Sequence, residues 1–388
     1  KAALFPSLSF STSQQVVKRP YQETSSRVSG SEIISSNSKT SYNGNYGLNA
    51  SWTLYNGNKR LKTIQQEKLN NQVAELDVAT SENNIQESIA QVYIQILYAA
   101  ESVKVNESTL QVSIAQRDRG QELLNAGSIA KSDFAQLEAQ VSTDRYQLVT
   151  AQATLEDYKL QLKQLLELDG ENEMNIYLPA LSDENVLAPL PTKKDVYISA
   201  LSLRPEIEAS KLNVEASELG IDIAKSSYFP TISLSAGIGT NHTNGSDFTF
   251  GEQVKNGWNN SIGLSVSVPI FNNRQTKSAV QKAKLQYETS MLSLLDEQKT
   301  LYKTIEGLWL DANSAQQRYA AANEKLKSTQ ISYELISEQF NLGMKNTIEL
   351  LTEKNNLLQA QQEQLQAKYM AILNMQLLKF YQGDQLAI

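Results

Sequence analysis

Residues 59–126 read KRLKTIQQEKLNNQVAELDVATSENNIQESIAQVYIQILYAAESVKVNESTLQVSIAQRDRGQELLNA. The stretch contains no proline and no glycine before Gly120, so nothing in it terminates a helix. At about 1.5 Å per residue such a helix would run for roughly 100 Å, several times the usual length of about 10–14 residues. Ile85, Ile89, Val92, Ile96, Ala99, Val103 and Leu110 step by fours and threes, with Asn106 the one polar residue in register. That is the pattern of a coiled-coil seam. The register returns 216 positions later as Leu301, Ile305, Leu308, Ala312, Ala315, Tyr319, Ala322 and Leu326. The chain is therefore built twice.

Working outward, each long helix should follow a strand and a turn. Tyr46, Leu48, Ala50, Trp52 and Leu54 alternate with small or polar residues before Tyr55-Asn56-Gly57-Asn58, a turn signal. In the second copy Ile262, Leu264, Val266, Val268 and Ile270 alternate before Phe271-Asn272-Asn273-Arg274, again 216 positions on. Residues 7–14 and Ile232 to Ile238 supply a partner strand for each. The Ser/Thr/Asn-rich segment 15–45 is expected to be a loop, as is the polar stretch around 241–256. Gly127 and Gly343 end the long helices at equivalent offsets, where a glycine supplies the positive φ of a helix C-terminus. A second helix follows each, one led by Ser132, the other running from Asn346 to about Gln382. Each pair forms an antiparallel hairpin. Residues 171–203 form a connector carrying three prolines, with a short element near Asn175 to Leu178 and a helix from about Lys193. Arg204-Pro205-Glu206 opens the helix to Ser226, which ends in Phe229-Pro230. The first copy has only Phe5-Pro6 with no helix before it, and an N-terminal helix of some 30 residues, with any signal peptide, is expected to be missing.

Composition narrows the function. With 35 Lys and Arg against 42 Asp and Glu and no dense basic run, a nucleic-acid footprint is unsupported. The absence of cysteine removes thiolate and disulfide chemistry. His242 is the single histidine and is expected in a polar loop, which leaves relay catalysis and a His-rich metal site without partners. Gly237-Ile-Gly239 lacks the rest of a dinucleotide-binding pattern. No enzyme activity, cofactor or metal is expected. No apolar run reaches about 18 residues, so any membrane passage must use strands.

Four strands with one apolar and one small polar face suit lipid outside and water inside, provided they close into a barrel. Barrels need about eight strands or more. Three chains of four strands, giving twelve, are the natural cyclic solution. The competing reading is a non-transport coiled-coil rod or adhesin, which accounts for the helices but not for the strands.

The duplicated order of Arg-Pro-Glu helix, Phe-Pro, strand hairpin closing on Phe-Asn, long helix, glycine turn and Thr347-Ile-Glu-Leu-Leu351 helix resembles the TolC-like outer-membrane factor family. The likeness spans the chain apart from the connector and the missing first helix. It implies a mainly α fold with β strands, a homotrimeric 12-stranded transmembrane β-barrel continued by a periplasmic α-helical coiled-coil tunnel. The segments would be a first strand hairpin (1–58), first helical hairpin (59–168), connector (169–203), helix leading to the barrel (204–227), second strand hairpin (228–274), and second helical hairpin with the C-terminal segment (275–388). It implies an exit duct in the outer membrane of a Gram-negative bacterium, reaching into the periplasm, for a tripartite efflux pump or type I secretion system. Its partners would be outer-membrane lipid, a periplasmic adaptor (membrane fusion) protein and, through the adaptor, an inner-membrane transporter. The resemblance places adaptor-docking tips at Ala126, Gly127 and Ser128 and at Leu342, Gly343 and Met344. Its gate acids fall on Glu349, with Thr352 at the second acidic position and Glu353 beside it, and Asp133 in the first copy. A ring of Glu349 carboxylates would attract cations; read more simply, Glu349 and Asp133 are first-turn acids that favour a helix N-terminus.

Overall fold

The computed structural model describes residues 2–21, 25–29, 32–36, 39–168, 176–177, 186–244 and 248–386. The elements in chain order are β1 (Ser7–Lys18), β2 (Ser25–Ser29), β3 (Glu32–Ser36), β4 (Thr40–Asn56), α1 (Lys59–Asn125), α2 (Lys131–Leu165), α3 (Lys193–Leu203), α4 (Pro205–Lys225), β5 (Thr231–Thr243), α5 (Phe250–Asn256), β6 (Asn259–Ser267), α6 (Gln275–Asn341) and α7 (Thr347–Gln382). Two compact units emerge, Lys1–Val73 with Ser210–Leu294 and Ala74–Ala209 with Leu295–Ile388. The helices α1, α4 and α6 each contribute to both.

The first unit is built on an antiparallel sheet ordered β1-β4-β5-β6. Its register aligns the two copies: Phe10 faces Leu48, Leu48 faces Ile238, Ala50 faces Ala236, and Ala236 faces Ile262. Because strand side chains alternate, the aliphatic residues of this sheet fall on one face, with Val17 of β1 the exception. The other face carries Ser9, Asn49, Gly237 and Ser261 across one row and Ser11, Gly47, Gly239 and Asn259 across the next. On that face the Asn49 amide donates to Ser11 Oγ at 3.3 Å and Asn45 to Ser13 Oγ at 3.3 Å. On the apolar face Leu8, Phe10, Ile262, Leu264 and Val266 are all exposed, whereas at one end Phe250 of α5 packs on Tyr46 and His242.

Three sequence expectations for this unit are corrected. The segment 15–45 is not a plain loop: β1 and β4 extend into it, and β2 and β3 pair as a separate hairpin. The polar stretch 241–256 contains the end of β5 and the helix α5, whose N-cap Thr249 accepts from Glu252 N while the Glu252 carboxylate accepts from Thr249 N. The last strand stops at Ser267, short of Val268 and Ile270. Pro269 has no N–H to offer a ladder there.

In the second unit the coiled-coil seams are where the periodicity puts them. Ile96, Ala99 and Leu110 are buried on α1, as are Leu301, Ile305, Ala312, Ala315, Tyr319 and Ala322 on α6; Ile85 is the exception and is exposed. Asn106, the polar residue in register, is buried and donates to the Ser102 carbonyl at 2.7 Å, so its amide is satisfied within its own helix. One core cluster joins Ile94 and Leu97 of α1, Ala315 and Tyr319 of α6, Val186, and the α7 run Ala367 to Leu377. A second joins Val196 and Ala200 of α3, Ile207 of α4, Leu301 and Ile305 of α6, and Leu378 and Tyr381 of α7. The connector is pinned by side chains: Gln316 donates to the carbonyls of Val186 and Ala188, and the Trp309 indole to that of Pro191. Asn175 and Leu178, where a short element was expected, lie outside the described residues.

Candidate functional site: the helix tips

The two tips have the same backbone geometry, as the duplication requires. Gly127 has φ +72° and Gly343 φ +73°. At the first, Gly127 N donates to Leu124 O and Ser128 N to Leu123 O; at the second, Gly343 N donates to Phe340 O and Met344 N to Gln339 O. These paired bonds close a helix C-terminus through a left-handed residue, a conformation that costs a side chain with a Cβ roughly 1–2 kcal/mol. Ala126, Gly127 and Ser128 are exposed, as are Leu342, Gly343 and Met344. Leu342, Met344 and Ile348 therefore present apolar side chains at the second tip.

The acids after the tips act first as caps. Asn346 caps α7 by accepting from Glu349 N at 2.9 Å, and Glu349 Oε2 returns the bond by accepting from Asn346 N at 3.2 Å. The other carboxylate oxygen accepts from Lys345 Nζ. The Lys345 hydrogen bond, followed by the bond from the Asn346 backbone, holds the Glu349 carboxyl below the usual glutamate range. Asp133 plays the corresponding part on α2, accepting from Ala130 N at 3.3 Å. The N-cap there is Ala130, two residues before the expected Ser132, so Asp133 is the third residue of the helix. Thr352 turns back on its own helix to the Ile348 carbonyl, and Glu353 accepts from Ser332 of α6 at 3.1 Å. Glu349 and Asp133 are thus first-turn acids of their helices.

Further from the tips lies a polar cluster that the motif reading missed. Lys354 of α7 donates to Asp144 of α2 and to Ser113 of α1, and Ser113 donates to the same Asp144 oxygen. The second Asp144 oxygen accepts from Gln140 at 2.9 Å. Ser113, Asp144 and Lys354 are 2%, 1% and 3% exposed. Burial lowers the Lys354 pKa from its ordinary value, and Asp144 pulls it back up. A signal was available in the sequence: Asp144 fills the place between Val141 and Leu148 in the α2 stripe, a charge at a seam position.

A second buried charge lies at the α3–α4 junction. Arg204 Nε donates to Glu206 at 2.8 Å, its terminal nitrogens lie 3.4 Å from Glu87, and its guanidinium stacks 4.3 Å from the Tyr381 ring centroid. Burial raises the Glu87 carboxyl against the pull of Arg204, and burial with the nearby Glu87 pushes the Tyr381 hydroxyl up to about 12.

No group of three or more potential metal ligands occurs among the described residues. His242 lies on β5 rather than in a loop, packed among the rings of Tyr42, Tyr46 and Phe250.

A duplicated strand hairpin with exposed apolar residues on one face, joined to a duplicated long helical hairpin with glycine-closed tips, is the architecture of the outer-membrane efflux class of proteins. The chain belongs to the outer membrane efflux protein family, whose model matches residues 1–167 and 196–383, and it is an outer-membrane protein. Among curated relatives it is 24% identical to the outer membrane efflux protein BepC of Brucella suis over 290 residues, covering 74% of this chain and 60% of the relative. It is 23% identical to the outer membrane protein TolC of Escherichia coli, covering 78% and 62% respectively. The chain thus spans about three fifths of the length of these two relatives. A solved structure of CusC, described as forming a transmembrane channel, superposes with a TM-score of 0.80 at 19% identity, covering 99% of this chain and 84% of that one. The open-state MtrE outer membrane channel of Neisseria gonorrhoeae superposes with a TM-score of 0.73 at 18% identity, covering 98% and 80%.

Proposed function

We propose that the chain is the exit duct of a tripartite efflux pump or type I secretion system, a passive gated channel assembled as a homotrimer. The observation that carries the reading is the sheet. Its apolar face carries exposed apolar side chains on all four strands, its opposite face is lined by Ser, Asn and Gly, and its outer strands β1 and β6 each pair on one side only. In hydrocarbon such edges must be paired, and joining β6 of one copy to β1 of the next through three copies gives a closed barrel of twelve strands with the polar face inside.

The helical hairpins then continue the duct into the periplasm. The exposed tips at Ala126 to Ser128 and Leu342 to Met344 are the surfaces offered to a periplasmic adaptor, which links the duct to an inner-membrane transporter. The names of relatives cover both kinds of export: one is a toxin and drug export protein of Aggregatibacter actinomycetemcomitans, another the alkaline protease secretion protein AprF of Pseudomonas aeruginosa.

In the trimer three Glu349 side chains approach the threefold axis, each partly balanced by Lys345, and favour cations at the constriction, with Thr352, Glu353 and Asp133 around them. Purified trimer in planar bilayers is expected to show small, cation-preferring conductance that increases in Glu349→Ala. A trimer without conductance, in the unmodified form and after disruption of the tip contacts, refutes the duct.

A further inference from the structure

We propose that the sheet-proximal starts of α1 and α6 form a basic band that binds the phosphates of anionic phospholipids in the membrane leaflet on the helix side of the sheet. The inference rests on the reading of the chain as an outer-membrane duct and goes beyond it by naming a lipid class and the residues that select it.

Charge is unevenly placed along these helices. Residues 59–66 carry Lys59, Arg60 and Lys62 and no acid; residues 274–287 carry Arg274, Lys277, Lys282 and Lys284 and no acid. All lie in the first unit. The chain as a whole has a formal charge of −7, so the excess is local. Residues 219–225 of α4 hold one acid, Asp222, which accepts from Lys62 at 2.9 Å and from Lys225 at 3.2 Å. Arg60 turns back to its own strand and donates to the Thr53 carbonyl. Lys59, Arg274, Lys277, Lys282 and Lys284 are exposed, and no ion pair among the described residues engages them.

These cations do not serve their own helices. The partial positive charge at a helix N-terminus favours acids there, and α2, α3, α4, α5 and α7 have them in Asp133, Asp195, Glu206, Glu252 and Glu349. By contrast, α1 and α6 have no acid in the first turn. They are also the two long helices that follow directly on strands of the sheet, β4 and β6. Cations kept at a positive helix end against the local preference call for an anion outside the chain.

The side chains beside the band say what carries that anion. Each of the four strands has an exposed aromatic residue at its helix-side end: Phe5 before β1, Trp52 in β4, Phe229 before β5 and Phe271 after β6. Trp52 lies on the apolar face opposite Leu234, with its indole donating to the Leu4 carbonyl at 2.8 Å. Aromatic residues placed in this way mark the level where hydrocarbon gives way to headgroups. Lys59 follows Asn56, the last residue of β4, by three positions, and Arg274 follows Phe271 by three. From Arg274 to Lys284 the helix advances about 15 Å, so the band begins at headgroup level and runs on beside it, where each cation adds to the attraction for an anionic surface. The adjoining aromatic belt favours a lipid headgroup over a soluble polyanion.

The test reconstitutes the purified protein in phosphatidylcholine vesicles with spin-labelled phosphatidylglycerol or spin-labelled phosphatidylcholine as the probe, and reads the motionally restricted fraction of each. The unmodified protein should enrich the anionic probe on the order of threefold or more, and about 1 M salt should abolish the preference. The combined variant Lys59→Gln, Lys277→Gln, Lys282→Gln and Lys284→Gln should show no preference yet melt no lower, because glutamine suits a helix and the change removes cations from a positive helix end. Arginine at the same four positions should keep the preference. An unchanged preference in the glutamine variant overturns the proposal, as does one that persists in high salt. Should the glutamine variant fail to fold, the salt series and the arginine variant decide, and loss of the preference in folded arginine variant overturns the proposal. Binding to purified cell-wall sacculi is measured in parallel: if the glutamine variant loses that binding and keeps its lipid preference, the band serves the cell wall and the lipid proposal is overturned. Conductance in planar bilayers without any lipid preference refutes the band alone; failure to insert into a bilayer refutes the duct and the band with it.

Discussion

Replacing Arg204 should be among the most damaging single changes in the second unit. Its side chain is 7% exposed and lies between Glu206 and Glu87, which are 20% and 19% exposed. The guanidinium also lies over Tyr381 and, at 5.6 Å, over Phe380. Arg204→Met keeps much of the apolar stem but leaves two poorly hydrated carboxylates without their cation, and the Oε2 atom of Glu206 already has no hydrogen-bond partner. Removing one partner of a buried pair typically costs about 3–5 kcal/mol. For a unit of roughly this size each kcal/mol lowers the melting temperature by about 2–4 °C, so the expected loss is on the order of 6–20 °C. Arg204→Lys should recover only part of it, because an ammonium cannot hold the forked contact and stack on Tyr381 as well. The assay is thermal unfolding of the detergent-solubilised protein followed by helical circular dichroism. A shift of less than about 2 °C in Arg204→Met would refute the reasoning, since an exposed ion pair is worth only about 0–1 kcal/mol.

Three further outcomes follow from the geometry. Gly57 has φ +67°, and a Cβ built on it would lie 2.6 Å from the Ser226 carbonyl and 2.9 Å from Phe229 Cβ; Gly57→Ala should therefore sharply reduce the yield of folded protein, whereas Gly127→Ala, with nothing within 4 Å, should cost only the roughly 1–2 kcal/mol of its left-handed backbone. Burial pushes Tyr369 and Tyr381 up to about 12 from 10; the unfolded chain ionises first, so stability is intact below pH 10 and falls through the interval to about 12 by roughly 1.4 kcal/mol per pH unit per tyrosine, measurable by alkaline unfolding beside phenolate absorbance and lost in the double Phe variant. Glu349 is held below 4.5 by Lys345 and Asn346, so its capping contribution is present above the ordinary glutamate range and disappears as pH drops through the depressed value; Lys345→Gln should move its titration upward, detected by NMR of labelled glutamate, and an unmoved titration would show that Lys345 is not the cause.

The fold was legible because its signals repeat. Two 67-residue helices, two glycine tips and two strand hairpins recur at one offset, and a period read twice outweighs the ambiguity of any single strand. The elements that escaped reading were those fixed by local or tertiary chemistry. The hairpin of β2 and β3 sits in a Ser-rich segment whose composition reads as loop, and α5 is a seven-residue helix set by a Thr249–Glu252 capping box inside polar sequence. The acids after the tips were legible as residues but not in role: Glu349 caps its helix and pairs with Lys345 within the chain, and the axial place proposed for it needs further copies of the chain. Lys354 and Asp144 escaped for another reason. Each looks like one more solvated charge on a Gln- and Glu-rich helix until the seam is drawn through it, and then charges of opposite sign are found at core positions on two different helices. A charge that interrupts an otherwise apolar stripe needs a partner on whichever helix it meets, so the stripe's gaps carry as much information about helix pairing as its leucines. The pair Asp144 and Lys354 thereby specifies that α2 meets α7, a contact that apolar periodicity alone leaves open because any two leucine seams can pack.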